Sequence, residues 1–131
     1  MRKKPVVFTV ETPPVSWARA GRNGRFSYTP TKVKIYESLI RHAFQESVGL
    51  HWEPWDGPVV VSVICGFKRT KTGKNVSYAI RNDVDNLLKA VSDALNGVAY
   101  ADDRQIVSCH CQKSYTDAPF VTVMIHFRKG G

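Results

Sequence analysis

The segment Arg81-Asn82-Asp83-Val84-Asp85-Asn86-Leu87-Leu88-Lys89, followed by Asp93 and then Asp102-Asp103, gathers side chains that could act on an anionic substrate. Five of the chain's eleven acids (Asp83, Asp85, Asp93, Asp102 and Asp103) fall in this short stretch of a basic protein. Asp83 and Asp85, two apart in an extended lead-in, point the same way. A helix starting near Asp85 then sets Lys89 one turn further on and Asp93 a turn beyond that, on one face. After Gly97 the chain can turn back and carry Asp102 and Asp103 towards the helix surface. Taken singly, each aspartate has an ordinary explanation as a helix cap, an i,i+4 partner or a turn residue. Taken together they repel, and each raises the pKa of the others unless something neutralises them. A hard divalent cation does so, and Mg²⁺ takes a few carboxylates plus water.

Clustered aspartates, a divalent metal, one lysine and a basic surface suit phosphodiester hydrolysis. The metal would lower the pKa of a bound water and polarise the phosphate. Lys89 would stabilise charge developing on the phosphoryl oxygens or the leaving group. Other acidic motifs fit badly. An EF-hand loop needs an oxygen ligand and then Gly where Leu87 and Leu88 stand, and no histidine lies near the segment. There is no Walker A loop, so a nucleotide cofactor is not expected.

The basic residues supply the other half of the reading. Nineteen Lys and Arg give a net charge of +8. That excess favours a polyanionic partner, either nucleic acid or an anionic surface. Candidates to hold flanking phosphates are Arg19, Arg22 and Arg25 in the long loop from Thr12 to Pro30, and Lys68, Arg69, Lys71, Lys74 and Arg81 ahead of the acidic segment. Trp17, Trp52 and Trp55 could stack on unpaired bases, although packing in a core or interface is the commoner use of such rings.

The elements that must position these residues follow from periodicity. Pro5 to Val10 reads as a strand, and so does Pro58 to Phe67 with its Val59-Val60-Val61-Ser62-Val63-Ile64 run. Between them, Val33, Tyr36, Ile40, Phe44 and Val48 recur at steps of three and four, predicting a helix over 31–48 that stops at Gly49. The second helix is expected from about Asp85 to Asn96, with Leu88, Val91, Leu95 and Val98 as its buried stripe and Asn96-Gly97 as its stop. Gln105 to Lys113 and Phe120 to Arg128 are the last two strands. The order β-α-β-α-β-β implies a single α+β domain over 1–131, with two main helices packed on a mixed sheet.

Cys65, Cys109 and Cys111 are expected to be reduced, buried strand residues. On a strand, Cys109 and Cys111 would face one way and His110 the other, so this run does not read as a zinc site. No stretch approaches the ~20 apolar residues of a membrane span, and Val6-Val7-Phe8 is too short for a signal-peptide core. A cytoplasmic protein is expected.

The central block also carries a resemblance. Asp83-Val84-Asp85-Asn86-Leu87-Leu88-Lys89, Asp93-Ala94-Leu95 and Asp102-Asp103-Arg104-Gln105-Ile106 closely resemble the D-x-D-N-L-x-K, D-A-L and D-D-x-Q-[IV] motifs of the RusA Holliday-junction resolvases. Tyr28-Thr29-Pro30 and Tyr36-Glu37 resemble the loop-to-helix entry of phage and prophage members. The resemblance implies a homodimeric endonuclease, dependent on Mg²⁺ or Mn²⁺, that cuts branched DNA by paired nicks. It implies Asp83, Asp85 and Asp103 as metal-binding acids, Lys89 as catalytic lysine, a contribution from Asp102, and for Asp93 either catalysis or an ion pair with Lys89. The chain departs from the family in carrying Ser16-Trp17-Ala18-Arg19-Ala20 where a more basic loop is common. A non-cleaving module for branched DNA, or a less selective nuclease with the same metal chemistry, are the alternatives.

Overall fold

β-branched residues at every second position make Val59–Lys68 a strand with one fully buried side: Val59, Val61, Val63 and Cys65 point into the core. In the computed structural model, which describes residues 4–16, 30–69 and 83–129, this strand (β2) lies inside a four-stranded mixed sheet. The elements run β1 (Val6–Val10), α1 (Pro30–Val48), β2, α2 (Val84–Leu95), a 3₁₀ turn (Asp103–Gln105), β3 (Ile106–Thr116) and β4 (Phe120–Phe127). The α+β order expected from periodicity is the order observed, with element ends moved by one to three residues.

Strand order in the sheet is β1-β4-β2-β3. β4 is antiparallel to both its neighbours, with Val63 opposite Val123 and Phe8 opposite Val123. β2 and β3 are parallel, with Val63 opposite Cys111. A parallel pair needs a crossover, and α2 lies in it. β3 and β4 follow each other closely in sequence, yet β2 separates them in the sheet, so residues 117–119 must cross over β2. Gly66 makes room for that crossing. A Cβ placed there would lie 2.5 Å from Phe120 Cε1 and 3.0 Å from Thr116 Cγ2.

One side of the sheet carries the core. Tyr36, Ile40 and Phe44 of α1, with Leu87, Ala90, Val91, Ala94 and Leu95 of α2, bury against the inward residues of β2 and β4. An aromatic series continues it, from Phe8 through Phe44 and Trp52 to Phe127 at centroid spacings of 6.2, 5.6 and 4.8 Å. Trp55 packs edge-on against the same Phe127. Trp52 and Trp55 are therefore packing residues, and Trp17 lies outside the described residues.

Two expectations need correction. The buried stripe of α2 is centred on Leu87, Val91 and Leu95, with Ala90 and Ala94 included, while Leu88 and Val98 are only partly covered. The helix is wedged between the sheet and α1, which buries a wider arc than a single stripe. Of the cysteines, Cys65 is buried, Cys111 is intermediate and Cys109 is exposed. β3 is the last strand of the sheet, so its outer positions lack cover from a second strand among the described residues. His110 faces the opposite side from Cys109 and Cys111, as strand alternation requires.

Candidate active site

Asp83 is the N-cap of α2, with an extended backbone (φ −75°, ψ 141°). Its carbonyl accepts from the amides of Asn86 and Leu87, both at 3.1 Å, but its carboxylate makes no capping hydrogen bond. The usual structural use of an aspartate here is therefore not the use made of it. Asp85 follows in the first turn. Both acids are exposed, and both sit where the helix dipole favours negative charge.

One turn on, Lys89 Nζ stands 3.6 Å from Asp93 Oδ2 on the same face of α2. Asp93 is the more sheltered partner. Burial pushes its pKa up, Lys89 pulls it down, and Asp103 pushes it up again, with a net rise. The underlying Tyr100 donates its hydroxyl to the Ser92 carbonyl at 2.9 Å. Its phenol is raised mainly by burial, with smaller contributions from Asp103 and Asp93. The chain after Gly97 thus does return towards α2, near enough for the Asp103 charge to act on Asp93.

That return is built by a tight turn. Gly97 takes φ +77°, a left-handed value for which glycine is suited, and its amide donates to the Tyr100 carbonyl at 2.8 Å. Asp102 then caps the 3₁₀ turn: its Oδ1 accepts from the Arg104 amide at 2.9 Å and pairs with Arg104 Nε at 3.3 Å. The Arg104 amide is the largest cause holding the Asp102 carboxyl below its ordinary value. Gln105 completes a capping box by accepting from the Asp102 amide at 2.8 Å. Sequence reasoning used Gln105 only as part of a motif. The Asp-x-x-Gln spacing of a capping box was the physical signal for its role.

Asp83 and Asp85 thus stand at the head of α2, and Asp103 lies near enough to Asp93 for its charge to raise that carboxyl's pKa. Along the helix itself, the level of Asp85 and the level of Asp93 are about two turns apart, roughly 12 Å along the axis. The donor chemistry suits a hard cation, being carboxylate oxygen throughout. Among the described residues, however, no group of three His, Cys, Asp or Glu side chains is arranged to hold a metal ion. Lys68 is exposed at the end of β2, and Arg69 just beyond it pairs with Asp117 at 3.3 Å. Arg19, Arg22, Arg25, Lys71, Lys74 and Arg81 lie outside the described residues.

The family model for endodeoxyribonuclease RusA matches residues 11–126, which runs from before α1 to the penultimate residue of β4 and includes all five acids. The chain belongs to the RusA endodeoxyribonuclease family. It is also 51% identical, over 43 residues, to the uncharacterized protein YqaN of Bacillus subtilis (strain 168). That match spans 33% of this chain and 30% of YqaN. Among the described residues, no helix is long and apolar enough to cross a membrane.

Proposed function

We propose that this RusA-family chain is a structure-selective endodeoxyribonuclease that resolves four-way DNA junctions by metal-dependent paired nicks. The observation that carries the reading is the family match across the whole acidic block. It is supported by an N-terminal helix acid, Asp83, whose carboxylate has no capping role.

Asp83, Asp85 and Asp103 are the side chains that would hold Mg²⁺, with Mn²⁺ as a substitute. Bound there, the cation would supply Lewis-acid polarisation of the scissile phosphate and a water of lowered pKa. Lys89 presents its ammonium on the same helix face, where it can neutralise charge on a phosphoryl or leaving-group oxygen. Asp93 restrains that ammonium from one turn away. Asp102 is better placed as the cap that shapes the turn than as a ligand, since Oδ1 already has two partners. Lys68 and Arg69, with the basic residues at 19, 22, 25, 71, 74 and 81, would hold phosphates and set register without reading sequence. A homodimer gives two sites related by a twofold axis, matching the paired strands of a four-way junction.

That no three such acids are grouped to hold a metal among the described residues favours one second reading, a module that binds branched DNA without cutting it. The deciding assay is cleavage of labelled four-way junction, linear duplex and single-stranded DNA, with Mg²⁺ or EDTA, by wild type and Asp85→Asn. Paired nicks confined to the junction, dependent on Mg²⁺ and lost in the variant, are expected. Binding without cutting under either metal would replace the nuclease by the binding module. Equal cutting of all three substrates would leave a nuclease without junction selectivity.

A further inference from the structure

Gln105 uses its side-chain amide fully. Oε1 accepts from the Asp102 amide at 2.8 Å, while Nε2 donates to the carbonyls of Trp55 at 2.6 Å and Gly57 at 2.8 Å. The two carbonyls come from a segment 48 to 50 residues away in the chain. That segment is itself held on several sides. The Trp55 amide donates to Ala99 and its carbonyl accepts from Ala101, both at 3.0 Å. Its indole N–H donates to the Arg128 carbonyl at 3.0 Å, and its ring packs on Phe127. Gln105 therefore ties the acid-bearing turn to a rigid part of the core through a partly buried amide.

We infer that Gln105 is a positioning residue that fixes the Asp103 carboxylate by strapping the Asp102–Gln105 turn to the Trp55 and Gly57 carbonyls. Asp102 shapes the turn internally, through the Arg104 amide and side chain, rather than holding it to the segment before β2. The attachment to that segment comes from Gln105. The strap needs an amide. A carboxylate at 105 would have the same length and could still accept from the Asp102 amide, but it could donate to neither carbonyl and would set a charge against two oxygens. Partners that orient a metal-binding or catalytic side chain typically change metal affinity or activity by about 10- to 100-fold when altered. The inference rests on the proposed role of Asp103 for its catalytic consequence, and on geometry alone for the strap.

The experiment compares wild type with Gln105→Glu, and with Gln105→Met, which keeps the length and loses every hydrogen bond. The first readout is the carboxyl ¹³C shift of Asp103 in metal-free protein, with Asp83 and Asp85 as internal references. The second is the single-turnover rate of four-way-junction cleavage, alongside junction Kd. In both variants the Asp103 signal should move while Asp83 and Asp85 stay in place. The cleavage rate should fall about 10- to 100-fold with Kd nearly unchanged. An unmoved Asp103 signal in a folded variant would overturn the strap. A moved signal with an unchanged rate would overturn its catalytic consequence. If wild type itself does not cut, the nuclease reading fails, and the ¹³C comparison still decides the strap. Should Gln105→Glu fail to fold, Gln105→Met decides it on the same readouts.

Discussion

At the head of α2, Asp83 and Asp85 are exposed carboxylates placed by helix geometry alone. At the entry to β3, Asp103 rides on a three-residue turn that Asp102 caps and Gln105 ties to the Trp55–Gly57 segment. The first pair depends on spacing within one element. The second depends on contacts made to a segment 48 to 50 residues away in the chain. A site assembled from both kinds has an adaptable side and a fixed side, and substitutions should separate them.

The largest effect should come from removing a carboxylate on either side. Asp83→Asn and Asp103→Asn should each lower junction cleavage by roughly three orders of magnitude, since several kcal/mol of metal-assisted charge stabilisation would be lost. Junction affinity should stay within about threefold, because it rests mainly on phosphate contacts. Cleavage and filter-binding measurements on the same preparations check this. Full cutting by Asp103→Asn, with Asp83→Asn inactive, would confine the site to the head of α2 and dissolve the comparison.

A smaller effect is expected from Lys89, which stands between the two levels. Lys89→Ala should cost about 10²-fold in the single-turnover rate, the usual scale for losing one donor at a developing charge. Unchanged cleavage would make the Lys89–Asp93 pair an ordinary surface i,i+4 contact. Asp102→Ala should lower the rate about tenfold by loosening the turn under Asp103, and should also lower Tm because a cap is lost. Asp85→Ala, by contrast, should lower Tm less, since it gives up the helix-dipole placement of an exposed carboxylate but no cap. Equal melting of the two variants would show that the turn keeps its shape without its cap.

The legibility of the sequence divides along the same line. The faces of α1 and β2 could be read because Tyr36, Ile40 and Phe44, or Val59, Val61 and Val63, repeat with the period of their own element. Which strand lies beside which could not, since β-branched alternation states what is buried and not against whom. The crossing of β2 by residues 117–119 has only Gly66 as its trace, and a lone glycine in a strand has several meanings. The buried arc of α2 was set by α1 as well as the sheet, so Ala90 and Ala94, silent in an apolar stripe, became core. The acids showed themselves by clustering. The approach of Asp103 to Asp93 did not, because it depends on where the turn after Gly97 lands.

The smallest predicted effect concerns Asp93, on which Asp103 and Lys89 act in opposite directions. Burial and the nearby Asp103 disfavour its charge, and Lys89 only partly offsets them, so its folded pKa lies above that of the unfolded chain. A carboxylate with a raised folded pKa favours the fold when protonated, and that contribution is lost as pH rises through the folded pKa. Asparagine imitates the protonated form at every pH. Asp93→Asn should therefore melt above wild type at pH 7, by something on the order of 2 °C. The gap should narrow as the pH is brought towards 4, as the folded wild type takes up its proton ahead of the unfolded chain. A series of thermal melts between pH 4 and 7 measures it. A variant that melts below wild type at pH 7 would mean that the Lys89 contact outweighs the burial of Asp93. A variant that is more stable yet slower in cleavage would show that this carboxylate is kept ionised, at a cost to the fold, for the lysine it restrains.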